Sequence, residues 1–189
     1  MDKIPEFGEM DALDGEYRAS SRSWIAVYHP EMSYQPAQLV QSLPKARVFT
    51  VITFRVRPDR GEEFGEVAKM VIAALERSKA DRPAAMYEIA SGAPSGTYLL
   101  FEPSVSLKTL DDGPARDRAM MEAMGESGTK KFLKSLGESV ASEESVLLQI
   151  NPRMSFVSKD FAAGDSGFWT PKSTKAIVVK PPAKTSAQK

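Results

Sequence analysis

The chain has 189 residues, 42% of them apolar and 26% charged, with 25 basic against 25 acidic side chains. That length holds one core of about 100 to 150 residues plus extensions, and not two full domains. Zero net charge argues against a nucleic-acid or anionic-membrane partner. No apolar run approaches the roughly 20 residues that cross a bilayer, and the lack of Cys excludes disulfides, thiolate catalysis and the common structural zinc sites. The start "MDKIPEFGEM" has no signal-peptide apolar segment. As it stands the chain reads as cytoplasmic, with a periplasmic or secreted location open if its native start lies upstream.

The first element occurs twice. "GEYRASSRSWIAVYHPEMSY" (15–34) aligns without gaps on "GESVASEESVLLQINPRMSF" (137–156), with Gly, Glu, Ala, Ser, Ser, Pro, Met and Ser identical. Both stretches read as the closing strand of one repeated unit, and the chain is expected to begin inside the first copy. Residues 1–45 are then a partial copy plus a linker, "MDALDG" being the end of its last helix and "SWIAVYH" its fourth strand. A strand without its own sheet must pair with another edge, in the 46–152 unit or in a partner chain. Trp24, Ile25, Val27 and Tyr28 are expected to become buried there.

From Arg47 to Arg57, "RVFTVITFRVR" alternates and is rich in β-branched and aromatic residues, the pattern of a strand. A helix follows at about 60–79, with Phe64, Val67, Ala68, Val71 and Leu75 on one stripe and Asp59 and Glu62 at capping-box spacing. "AAMYEIA" and "TYLLFE" are short strands joined through "SGAPSG", an antiparallel pair. A helical turn at 105–110 leads into a helix from Ala115, which Gly125 and Gly128 should kink or split before it stops at Gly137. "SVLLQIN" supplies the last strand. The order strand, helix, strand, strand, helix, strand over 46–152 is a ferredoxin-like βαββαβ unit of the α+β class, an antiparallel sheet with helices on one face, within a domain of 46–158. Residues 159–189 hold an aromatic docking segment, with Phe161, Phe168 and Trp169, and a basic tail from Thr170 whose composition predicts disorder and a solubilising role.

Sorting strand parity by polarity predicts which residues lie under the helices: Val48, Thr50, Ile52, Phe54, Val146, Leu148, Ile150, Tyr87, Ile89, Leu99 and Phe101. The opposite face would then hold Phe49, Val51, Thr53, Arg55, Met86, Glu88, Tyr98, Leu100, Glu102, Gln149 and Asn151. A face mixing Phe49, Val51 and Leu100 with Arg55, Glu88 and Glu102 suits neither water nor a dry core. It suits a partner sheet with a cavity between, so a homodimer is expected.

This topology and mixed face resemble the dimeric α/β-barrel superfamily, which includes antibiotic-biosynthesis-monooxygenase-like proteins, in which two ferredoxin-like sheets pack face to face. "ASGAPSGTYLLF" (90–101), "NPRMSFVSKDF" (151–161) and "FWTP" (168–171) are also similar to stretches of bacterial proteins built from two such units in tandem. The resemblance implies a dimer with a cavity between sheets for a small apolar or amphipathic ligand. The residues placed at that cavity are Phe49, Thr53, Arg55, Met86, Glu88, Tyr98, Glu102, Gln149 and His29.

Candidate chemistry is sparse. His29 is the only histidine, which rules out a multi-histidine metal site; a surface or edge-strand role is the simpler reading. Haem-binding members of the superfamily hold iron through one histidine, which keeps a haem reading open, although the repeat partner of His29 is Asn151. Glu88, Glu102 and Arg55 form either a structural ion-pair cluster or a proton acceptor of raised pKa. Tyr98 and Tyr28 either pack with satisfied hydroxyls or protonate an intermediate in a cofactor-free oxygenation, as the resemblance implies. Met120, Met121 and Met124 read as helix packing. "SGAPSG" lacks the context of a phosphate loop, and no cofactor or metal motif is present. The sequence supports a dimerising, ligand-binding module first, a cofactor-independent monooxygenase or isomerase of phenolic or polycyclic substrates second, and a haem-binding protein third.

Overall fold

A computed structural model describes residues 19–170, and the chain divides after Ile150 into two compact units. The first contains β1 (Ile25–Tyr34), α1 (Pro36–Ser42), a 3-10 turn (Leu43–Lys45), β2 (Val48–Val56), α2 (Gly61–Arg77), β3 (Ala84–Ser91), β4 (Thr97–Ser104), α3 (Lys108–Asp111), α4 (Gly113–Ser139) and β5 (Val140–Gln149). All five strands form one antiparallel sheet in the order β1-β3-β4-β2-β5. Without β1, the order of elements is βαββαβ, and the unit is a ferredoxin-like α+β fold with α2 and α4 packed together on one sheet face.

The residues of β2 follow from their chemistry: β-branched and aromatic side chains alternate along a strand bonded on both sides. Helix α2 buries the predicted stripe, Phe64, Val67, Ala68 and Leu75. Its start differs from expectation. Asp59 takes a left-handed φ of 61°, Arg60 occupies the cap without a side-chain hydrogen bond, and the acidic first turn is held by an Arg60–Glu63 ion pair of 2.5 Å. Helix α4 breaks at Gly125, where φ 70° and ψ 170° are open to glycine alone. Thr129 Oγ1 donates to the Met121 carbonyl across that break at 3.0 Å. The second arm runs through Gly137, and β5 begins at Val140 with no loop between, earlier than the expected Ser145. The linker contains α1, unforeseen in the sequence, with Leu39 buried.

Directly opposed residues of an antiparallel pair share a face, so the register assigns every side chain. Val48, Thr50, Ile52 and Phe54 lie under the helices as expected. Their partners there are Tyr98, Leu100 and Glu102 of β4, and Leu147 and Gln149 of β5. Met86 and Glu88 of β3 follow through Leu100 and Tyr98. Tyr87, Ile89, Leu99, Phe101, Val146 and Leu148 therefore lie on the opposite face with Phe49 and Val51, contrary to the polarity-based sorting. Polarity separates two faces only when one of them meets water. Here both carry large apolar residues, and the pairing with β2 decides.

Strand β1 does find an edge: it pairs antiparallel with β3, placing Val27 opposite Glu88 and His29 opposite Met86. Which of its residues are buried is not as expected. Trp24, Ile25, Val27 and Tyr28 remain exposed, Ile25 by 66%, whereas Met32, Ser33 and Tyr34 are buried. The outer half of an edge strand has a neighbour on one side only. Its inner half reaches the helices, with Met32 beside Phe64 and Met86, and Tyr34 beside Ala74 and Leu75. Gly92 marks the entry to β1: at φ 96°, a Cβ there would stand 2.2 Å from the Ser23 carbonyl oxygen. The two similar stretches also differ in structure. "HPEMSY" ends β1 as strand, while "NPRMSF" lies beyond β5 in a turn where Met154 is 85% exposed.

The second unit contains α5 (Lys159–Ala163), capped by Ser158 Oγ accepting from Phe161 N at 3.2 Å, and α6 (Ser166–Trp169). Trp169 is buried, with the rings of Phe161 and Phe168 edge-on to it. The stretch "MDALDG" and the basic tail from Pro171 lie outside the described residues.

Candidate functional site

Between the sheet and the two long helices is a cavity of about 380 Å³. Phe54, Met86 and Leu100 line it from the sheet, Phe64 and Ala68 from α2, and Met120 and Phe132 from α4. Ala68 and Ala84 present only methyl groups where larger side chains would fill the gap. A volume of this size, lined chiefly by apolar groups, matches the usual small-molecule pocket.

The polar groups at this cavity are Arg82, Glu102, Asp117 and Glu143. Arg82, just ahead of β3, grips both carboxylate oxygens of Glu102, from Nε at 2.9 Å and Nη2 at 2.9 Å. Its Nη1 donates to Asp117 Oδ1 at 3.1 Å. The fork thus ties β3 and β4 to α4 with the bidentate geometry that suits guanidinium and carboxylate. Burial alone would lower the Arg82 pKa, but the Glu102 charge and hydrogen bond, followed by Asp117, outweigh it and the pKa is raised.

A second polar group sits at the β1 end of the same face. His29 Nδ1 stands 2.8 Å from Glu31 Oε1 and Nε2 3.2 Å from Glu88 Oε2. The His29 ring lies 6.0 Å from the ring of Tyr98. Burial first, and then the charge and hydrogen bond of Glu88, raise the Tyr98 pKa above the ordinary phenol value. The His29 hydrogen bond is the main reason that Glu31 titrates below the usual carboxylate range. Tyr98, Glu88, His29 and Glu31 thus form a chain from a buried phenol to an exposed carboxylate. A cleft of about 240 Å³ opens on the Tyr98–Glu88 end, floored by Gly61 and Gly96. The Phe64 ring, 4.9 Å from Tyr98 and 5.3 Å from Phe54, packs between this chain and the apolar cavity.

The register divides the residues that the sequence placed together. Met86, Glu88, Tyr98, Glu102 and His29 share the helix face. Gln149 lies on it too, at the exposed edge strand opposite Val48. Phe49, Thr53 and Arg55 are on the other face. Arg55 donates to Thr97 Oγ1, so the expected cluster of Arg55 with Glu88 and Glu102 does not form. Arg82 partners Glu102 instead. Sequence reasoning missed Arg82 and Asp117, because a single Arg in the loop "KADRPAA" and a single Asp in a helix carry no spacing signal. A haem role for His29 would require displacing one of the two carboxylates its ring nitrogens already face. Among the described residues, no group of three or more His, Asp or Glu side chains is arranged to hold a metal ion, and no helix is long and apolar enough to cross a membrane.

No family model matches the chain, and no curated protein matches it. Among solved structures, one described as a "putative monooxygenase" from Lactobacillus acidophilus NCFM aligns at 12% identity with a TM-score of 0.37, over 56% of this chain and 48% of that one. The chain therefore spans about half the length of that protein.

The raised pKa of Tyr98 makes folding depend on alkaline pH with a definite sign. The folded chain holds the phenolic proton more tightly than the unfolded one. The stability gained is complete below the unfolded value of about 10 and is lost as pH rises through the higher folded value. Tyr34, raised by burial and then by the charges of Glu76 and Asp81, adds to the same slope. Replacing Tyr98→Phe should flatten the fall of Tm above about pH 10. A decline as steep as that of the unaltered protein would show that this phenol titrates normally.

Proposed function

We infer that the chain is a binding module for a small, mainly apolar molecule held between the sheet and α2/α4, not in a space between two sheets. The observation that carries this reading is the 380 Å³ cavity, apolar except for the Arg82 cluster and Glu143. A neutral fluorophore such as 1-aminoanthracene probes it directly. Ala68→Phe projects a ring into the cavity and should weaken the dye by about tenfold or more with the circular dichroism unchanged. Equal affinity in a natively folded variant would remove the reading.

The sheet face opposite α2 and α4, which α1 and the 3-10 turn cover in part through Leu39 and Leu43, supports homodimerisation. Phe49, Val51 and Phe101 sit at its centre, and Val146 and Leu148 are exposed beside them. A second copy laid on this face would cover that surface. Sedimentation at low micromolar concentration should give twice the chain mass, and Val51→Asp should return the monomer, since an unpaired charge buried in such an interface costs several kcal/mol. A monomeric unaltered protein would leave this face without a dimer role.

The chain of Tyr98, Glu88 and His29 favours a second reading, a cofactor-independent oxygenation of an electron-rich phenolic or polycyclic substrate. In such a reaction an activated methylene becomes a carbonyl, and O2 provides that oxygen and leaves the other as water. The substrate supplies all four electrons. Glu88 would take the first proton and Tyr98 would return one to the peroxide, recharged through His29. Oxygen uptake with an anthrone-type substrate, abolished by Tyr98→Phe, is the expected result. Uptake that survives the substitution would take Tyr98 out of the chemistry.

A further inference from the structure

A second cavity, of about 400 Å³, adjoins the Arg82–Glu102 pair. Both residues line it as well as the apolar cavity, so the ion pair stands where the two meet. This second space carries more polar groups than the first, beside apolar residues such as Ile52, Val105 and Leu110. Thr50, Ser104 and Ser145 bring hydroxyl groups from three neighbouring strands, and Arg116 comes from the first turn of α4. Arg116 Nη2 donates to the Thr109 carbonyl at 2.6 Å, but its Nε is shielded from solvent and has no hydrogen-bond partner. No carboxylate pairs with Arg116 among the described residues. The nearby acids are engaged elsewhere: Asp81 accepts from Gln38 Nε2 at 2.5 Å, and Glu102 and Asp117 are held by Arg82.

A buried guanidinium donor without an acceptor is costly to keep, so its presence in a lined cavity points to something that completes it. The N-terminus of α4 adds to the demand. Gly113 borders the cavity and no side chain caps that end; Pro114 has no amide hydrogen, so the end offers chiefly its partial positive charge. A carboxylate brings one negative charge, matching the guanidinium of this cavity that has no carboxylate partner among the described residues. A phosphate dianion would set a second charge against Glu102 and Asp81.

We propose that this cavity is the headgroup site of a carboxylate-bearing amphiphile, whose apolar chain passes the Arg82–Glu102 pair into the apolar cavity. The assignment rests on the binding reading above and adds to it the chemical class of the ligand and the residue that selects it, Arg116.

Calorimetric titration of the full chain at neutral pH with decanoate, 1-decanol and decyltrimethylammonium tests both levels. Decanoate should bind about tenfold or more tightly than decanol, with the ammonium weakest. Arg116→Gln should bring decanoate down to the level of decanol and leave decanol unchanged. If decanol binds as well as decanoate, the headgroup site falls while the apolar cavity stands, and the same holds if Arg116→Gln keeps the preference. If none of the three binds, the cavity reading falls and the headgroup assignment with it. Should the variant fail to fold, the ligand series on the unaltered chain decides by itself.

Discussion

The pairing of β2 with β4 and β5 constrains everything on the helix side of the sheet. Opposed residues share a face, so placing Phe54 under α2 also places Tyr98 there, and placing Thr50 there brings Glu102. With Glu88 of β3 opposite Tyr98, two carboxylates and a phenol thus enter the helix side of the sheet. Each needs a partner to offset the loss of water. Glu102 obtains Arg82, and Glu88 obtains His29 and Tyr98. The polar groups are therefore not scattered through the interior but gathered at two places, with the apolar cavity and the Phe64 ring between them.

That arrangement gives the interior a direction. At one end a bidentate ion pair ties the ends of β3 and β4 to α4 and lines both cavities. At the other end a chain of hydrogen-bonding groups runs from a buried phenol out to Glu31. Between them, small residues such as Ala68 and Ala84 leave room where close packing would otherwise be the rule. Cavities of this size reduce stability, which is consistent with a site kept for a ligand.

Strand β1 shows how an added segment changes chemistry as well as topology. By pairing with β3 it satisfies one row of edge backbone groups and buries Met32 and Tyr34 against α2 and its neighbours. It also carries the only histidine of the chain to within hydrogen-bonding distance of Glu88. The similar stretch "NPRMSF" has Asn151 at the aligned position and lies in a turn. Three of the six residues are the same in "HPEMSY" and "NPRMSF", yet one stretch is strand and the other a turn.

The sequence by itself determined the order of elements in the βαββαβ unit, the stripe of α2, the break in α4 at Gly125, and the need of β1 for a strand edge. Each of these rests on periodicity, on glycine, or on backbone hydrogen bonding, which act within a few residues. The residues of the candidate site were only half legible. Met86, Glu88, Tyr98, Glu102 and His29 were singled out from chemistry, yet they were assigned to the wrong face or given the wrong partner. Register depends on which strands meet, and two apolar faces leave polarity with nothing to distinguish them. Arg82, Asp117 and Arg116 became visible only in three dimensions. Isolated charged residues acquire meaning from what stands across from them, and that is decided by tertiary packing, not by spacing along the chain.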